Sequence, residues 1–161
     1  MLLVTGVVAA AILIVAVLPA IWSTVGTFSS ASAATDRSMR TDFKIVTTYA
    51  KASLNPEGDI YIKNIGTSRI SLAEINRSDV FFGKTDTFTR LSFTSGVAVA
   101  GQWGYVFTAG SYDTDSNRIW DTGETIKIIG IPTTALVSGD PVYFQFILPN
   151  GVQRSIEFTV S

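Results

Sequence analysis

The chain has 161 residues, a formal charge of −1, and neither cysteine nor histidine. That length gives room for one domain and an appendage. The two absences exclude a disulfide framework, thiolate or imidazole catalysis and ordinary zinc sites, and the near-neutral balance points to neither nucleic acid nor an acidic membrane surface. Carboxylates, hydroxyls, lysines and backbone remain. They suit hard cations and structural hydrogen bonds, and a carboxylate-only glycosidase needs a larger sugar cleft than so small a domain offers. The chain reads as no enzyme.

Charge is unevenly placed. Residues 1–35 carry none, and the 12 basic and 13 acidic side chains all follow. Leu2 to Val25 is apolar almost throughout. A stretch of roughly 20 such residues matches the ~30 Å hydrocarbon core when helical, so the expectation is one long N-terminal apolar α-helix. A cleavable signal peptide is the alternative. It has a basic start and a shorter apolar core, whereas no Lys or Arg precedes Arg37, although Ala31-Ser32-Ala33 resembles a cleavage site. Pro19 should loosen the helix by removing an N–H donor, and Trp22 suits a membrane interface. Gly6 and Ala10 form a small-xxx-small pair that permits close helix packing, or are simply common helix residues. The positive-inside rule finds no charge ahead of the helix to count. The two-part reading is 1–35, a transmembrane or filament-core helix with a stalk, and 36–161, a β-sandwich domain.

From Asp42 the period changes to two. Strands are predicted near 43–49, 58–64, 78–83, 86–93, 103–109, 124–130, 141–148 and 152–160, with Ile156, Phe158 and Val160 alternating against polar neighbours. Pro149-Asn150-Gly151 should turn the last hairpin, and Pro132 to Leu136 reads as one helical turn. Seven or eight short strands with Gly- and Asp-rich turns give an immunoglobulin-like all-β sandwich.

Three local features could carry function. Asp113, Asp115, Asn117, Asp121 and Glu124 fall at positions 1, 3, 5, 9 and 12 of a calcium-loop frame, with the Ile119 carbonyl at position 7. Position 6, usually Gly, is Arg118. The flanks look like strands, so a calcium-braced β-loop is expected rather than an EF-hand, the plainer reading being a solvated acidic turn. Asn76-Arg77-Ser78 is an N-glycosylation sequon. Ser92 to Gly110 is nearly uncharged and rich in Gly, Ala and aromatics. It reads as a buried hairpin or as an exposed apolar patch that docks a partner, with Trp103 and Tyr105 as anchors.

Arg40-Thr41-Asp42-Phe43-Lys44-Ile45, Asp59-Ile60-Tyr61-Ile62-Lys63-Asn64-Ile65-Gly66 and Asp79-Val80-Phe81-Phe82-Gly83 resemble the archaellum accessory (stator) proteins FlaG and, less closely, FlaF. The layout of an archaeal type IV pilin-like helix followed by a β-sandwich is similar too. The resemblance implies a non-catalytic component of the archaeal motility apparatus with its β-domain outside the cytoplasmic membrane. It also implies partners among archaellum, envelope and S-layer proteins; self-association is expected from the apolar patch around Trp103 and Tyr105. Archaellins and type IV pilins share the plan, so a filament subunit is the alternative, and a calcium-binding surface adhesion domain is a third. The calcium frame rests on its own spacing and not on the resemblance.

Overall fold

The computed structural model describes Pro19, Trp22, Ser23, Thr27, Ser29 and residues 31–53 and 56–161. The chain divides into two compact units, Met1–Arg37 and Ser38–Ser161. In the first, the described residues are helical, and the hydroxyls of Thr27 and Thr35 donate to the carbonyls of Ser23 and Ala31, four residues back. Such back-bonding lets small hydroxylated residues sit in a helix.

The expected long apolar helix ahead of an immunoglobulin-like sandwich is corrected here. Among the described residues no helix is long and apolar enough to cross a membrane. The helical positions 31–40 are Ala, Ser, Thr, Met and charged residues, which support a helix without giving it an apolar surface. Most of the 2–25 run, Gly6 and Ala10 included, lies outside the described residues, while Trp22 is exposed.

The second unit is a β-sandwich built from one continuous ladder. Strands β1 (Phe43–Lys51), β2 (Glu57–Asn64), β4 (Asp79–Lys84), β5 (Thr89–Phe93), β6 (Gln102–Val106), β8 (Thr125–Ile131), β9 (Pro141–Ile147) and β10 (Gln153–Thr159) run in the order β1-β2-β8-β6-β5-β4-β9-β10. All eight predicted strands are present to within a few residues. Every pairing is antiparallel except β5 with β6. That parallel pair joins a β1-β2-β8-β6 layer to a β5-β4-β9-β10 layer. Alternation explains the layers. In β2 the side chains of Ile60, Ile62 and Asn64 are buried, and Glu57, Asp59, Tyr61 and Lys63 face outward. In β9 Val142, Phe144 and Phe146 fill the other half of the core. Each such side chain contributes about 1.5–3 kcal/mol on burial.

Two short strands were not predicted, β3 (Ile70–Ser71) and β7 (Ile119–Trp120), which pair with each other. The helical turn Leu72–Ile75 follows β3 directly. It was legible as a capping box: Ser71 Oγ accepts from the Glu74 N–H, and the Glu74 carboxylate accepts from the Ser71 N–H at 3.0 Å. These pieces bring Ile70, Ile75 and Trp120 into the core. Pro132 to Leu136 is no helical turn. It is irregular, and Leu136 bridges to Ser53, because a backbone next to a strand end finds its hydrogen bond across the sheet.

Two of the three segments that carry the resemblance, 40–45 and 59–66, pack on one another. The N–H groups of Ile65 and Gly66 donate to the Asp42 carbonyl, and those of Thr67 and Ser68 to Arg40. A Cβ on Gly66 would lie 2.4 Å from the Asp42 nitrogen, so only glycine allows this approach. Asn64 is fully buried yet satisfied: its amide donates to the Ser68 and Trp120 carbonyls, and its oxygen accepts from Gly66 N–H at 3.0 Å.

Candidate functional site

The acidic loop closes between β6 and β8. Asp113 is 1% and Glu124 6% exposed, unusual burial for carboxylates. Asp113 accepts from the N–H groups of Asn117 at 3.1 Å and Arg118 at 2.8 Å. Glu124 latches the loop: one oxygen accepts from Thr114 N–H and its hydroxyl, both at 2.6 Å, and the other from Asp121 N–H at 2.9 Å. Ser116 and Arg118 adopt positive φ, 59° and 62°. Arg118 holds the left-handed turn for which glycine is usual, at a cost that the bonds to Asp113 offset.

The structure brings carboxylate oxygens of Asp113, Asp115 and Glu124 within 4.8 Å of one another, a spacing that fits one hard cation. It does not bring the full predicted set together. Asp121 is turned to Arg69, whose guanidinium donates at 2.5 and 3.0 Å. Those bonds, and a further one from Asn117, hold the Asp121 carboxyl below its usual range. Asn117 spends its side-chain oxygen on the Ile119 N–H at 2.7 Å. Its amide donates to Asp115 and Asp121. Ile119 enters β7 opposite Ser71.

The apolar segment splits in two. Trp103 is fully buried between Phe93, with ring centroids 5.0 Å apart, and Phe146, at 6.1 Å. That corrects its reading as a surface anchor: on β6 it faces the inter-sheet core. Tyr105 is half-buried, and its hydroxyl donates to the Asn76 oxygen at 2.9 Å. Burial pushes its phenol up, and the Arg118 charge offsets part of that. What stands out to solvent is the connection between β5 and β6, with Val97 92% and Val99 58% exposed. Shallow clefts of about 300 and 360 Å³ flank it, lined among others by Val97, Ala98, Val106, Ile129 and Ile131. Valines were legible there, but only the sandwich shows which apolar residues remain outside.

The outer face of this layer therefore has two halves. On one, Lys127 bonds Asp59 at 2.7 Å and lies 6.0 Å from the centre of the Tyr61 ring. Burial pulls the Lys127 ammonium down, but the hydrogen bond and charge of Asp59 outweigh it and leave the group raised. The other half is apolar, with Glu57 the one charged residue among the described residues that line the clefts. A face with so little charge loses little on desolvation and can dock against another apolar surface.

No family model matches the chain. A protein of Archaeoglobus fulgidus described as "uncharacterized protein" is 28% identical over 166 residues, covering 98% of this chain and 93% of its own. Among the solved structures that share the fold are three. One is the archaellum periplasmic stator protein FlaG of Sulfolobus acidocaldarius: TM-score 0.55, 24% identity, 73% of this chain and 99% of that one. Another is the stator complex of FlaF and FlaG from the same organism: TM-score 0.55, 23% identity, 72% and 87%. The third is the archaeal flagellum of Methanospirillum hungatei strain JF1: TM-score 0.68, 14% identity, 99% and 90%. At these identities the likeness establishes the fold.

Proposed function

We propose that this chain is a non-catalytic component of the archaeal motility apparatus, an interaction protein of stator type whose β-domain works in the cell envelope. The observation that carries the reading is the match of its fold to 99% of the solved chain of a periplasmic stator protein. The packing of the Arg40–Asp42 and Asn64–Gly66 segments on one another adds to it, because these residues carry the resemblance. Partners are other archaellum or envelope proteins, copies of the chain among them, docked through the apolar face around Val97 and Val99. Calcium at Asp113, Asp115 and Glu124 is proposed as a structural brace of the loop between β6 and β8 and supplies no chemistry.

A second reading, a filament subunit, is favoured by one observation: the flagellum match has the higher TM-score and covers 99% of the chain. One experiment addresses both. The gene is deleted in its host, swimming is scored, and purified filaments are examined by electron microscopy and protein sequencing. The stator reading expects lost swimming and little of this chain in the filaments. Filaments built mainly of this chain support the second reading, and normal swimming in the deletion strain rejects both.

A further inference from the structure

Asn76 caps the Leu72–Ile75 turn and is exposed to solvent. Its side-chain oxygen accepts from the Tyr105 hydroxyl, whereas its nitrogen donates no hydrogen bond among the described residues. The sequon nitrogen is thus the end left available. Beside it lies a cleft of about 280 Å³ bordered by Asn76, Phe93, Thr94, Ser95, Tyr105 and Arg118. This is just below the ~300–1,000 Å³ of pockets that enclose whole small-molecule ligands, a size for one ring. Phe93 and Tyr105 stack with centroids 5.9 Å apart and planes 18° from parallel. They give the cleft an aromatic wall, which suits the C–H face of a pyranose. Thr94, Ser95 and Arg118 supply hydroxyls and a guanidinium, which suit its hydroxyl groups. Arg118 is offered there from a left-handed backbone held by its N–H bond to Asp113.

We propose that Asn76 carries an N-linked glycan and that the first pyranose lies in this cleft, against Tyr105 and Phe93 and within reach of Arg118. The modification itself is ordinary group transfer from a lipid-phosphate-linked oligosaccharide. The anomeric carbon–oxygen bond to the phosphate breaks, the carbon–Nδ2 bond forms, the amide gives up one proton, and the lipid phosphate leaves with the bonding pair. Nothing is oxidised or reduced. Ser78 is buried, its hydroxyl donating to the Glu74 carbonyl at 3.0 Å, so transfer precedes folding of this turn and the sugar is then seated as the domain closes. The Tyr105 bond survives, because the glycosylated amide keeps its oxygen.

The test compares the full chain from an archaeal host with the same chain from a bacterial host that lacks the transferase. Tryptic peptides covering Ile70 to Arg77 are sequenced by mass spectrometry, and amide hydrogen exchange is measured from Phe93 to Gly96. The expected results are a sugar mass on Asn76, its loss in Asn76→Gln, and slower exchange at 93–96 in the modified protein. Arg118→Ala should keep the sugar mass and lose part of that slowing. An unmodified Asn76 in the archaeal product overturns the proposal. A modified Asn76 with exchange equal to that of the bacterial product overturns the seat. Both motility readings share the exposure this needs, and they are decided by swimming, so either can fail alone.

Discussion

Replacing Glu124 by Gln sets two effects of similar size against each other, and their balance reports whether a cation occupies the loop. Gln keeps one oxygen for Thr114 but turns an NH₂ toward the Asp121 N–H, which in the wild type meets a carboxylate oxygen at 2.9 Å. Leaving that donor unpaired costs about 1–3 kcal/mol. Against this, the substitution removes one of three carboxylates gathered within 4.8 Å. At that range repulsion is roughly 1 kcal/mol per pair in water, and Glu124 takes part in two of the three pairs, about 2 kcal/mol together. Without a cation the two terms offset, and Glu124→Gln should melt close to the wild type in chelator. With one bound, the wild type gains the linkage energy. At 10 mM calcium and a dissociation constant on the order of 10⁻⁴ M that is about 2.7 kcal/mol. For a folded unit of this size it is roughly a 10 °C rise in Tm. The Gln variant, which cannot close the site bidentately, should gain little. Thermal unfolding of the full chain, followed by circular dichroism in calcium and in chelator, reads all four values. A wild-type Tm that ignores calcium, together with a Gln variant several degrees lower in chelator, would falsify the reasoning. The loop would then be a turn sustained by its own hydrogen bonds.

Trp103→Ala removes a fully buried indole and should cost about 3–5 kcal/mol, read as a lower urea midpoint; a variant of unchanged stability but impaired assembly would return Trp103 to the surface role. Val97→Asp, at a position 92% exposed, should leave stability within about 0.5 kcal/mol and weaken self-association or partner capture in gel filtration; unaltered assembly would remove this face from the docking surface. Arg69→Gln tests the pH dependence. Asp121 has a folded-state pKa depressed below the ordinary 3.8 by Arg69, so its stabilisation is present above the unfolded value and is lost as pH falls through the folded one. Urea midpoints of variant and wild type should therefore differ at pH 7 and converge as the pH is taken well below 3.8; a gap that persists in acid would mean that Arg69 acts by packing. Gly66→Ala should be strongly destabilising, because its Cβ would meet backbone at 2.4 Å, and a well-folded Ala variant would disprove that close approach.

Much of this protein was written in local pattern. Period-two alternation marked the eight long strands, most clearly β2, β8 and β9, where every second residue is buried and a slip of one residue would expose it. Pro149-Asn150-Gly151 turns the final hairpin as expected, with Gly151 at φ 84°. The capping box of Ser71 and Glu74 was equally local, and reading it would have found the helical turn. Tertiary structure decided what depends on distant neighbours. Pairing β5 parallel to β6 sets which residues of 92–110 face inward, so Trp103 is core while Val97 and Val99 face solvent. Asp121 fits the calcium frame by spacing, yet Arg69, 52 residues away in sequence, takes it, because a bidentate guanidinium satisfies both carboxylate oxygens. Tyr105 reaches Asn76 across 29 residues. Spacing along the chain names candidate ligands and anchors; competition for their lone pairs and access to water are settled only when strands far apart in sequence are laid side by side.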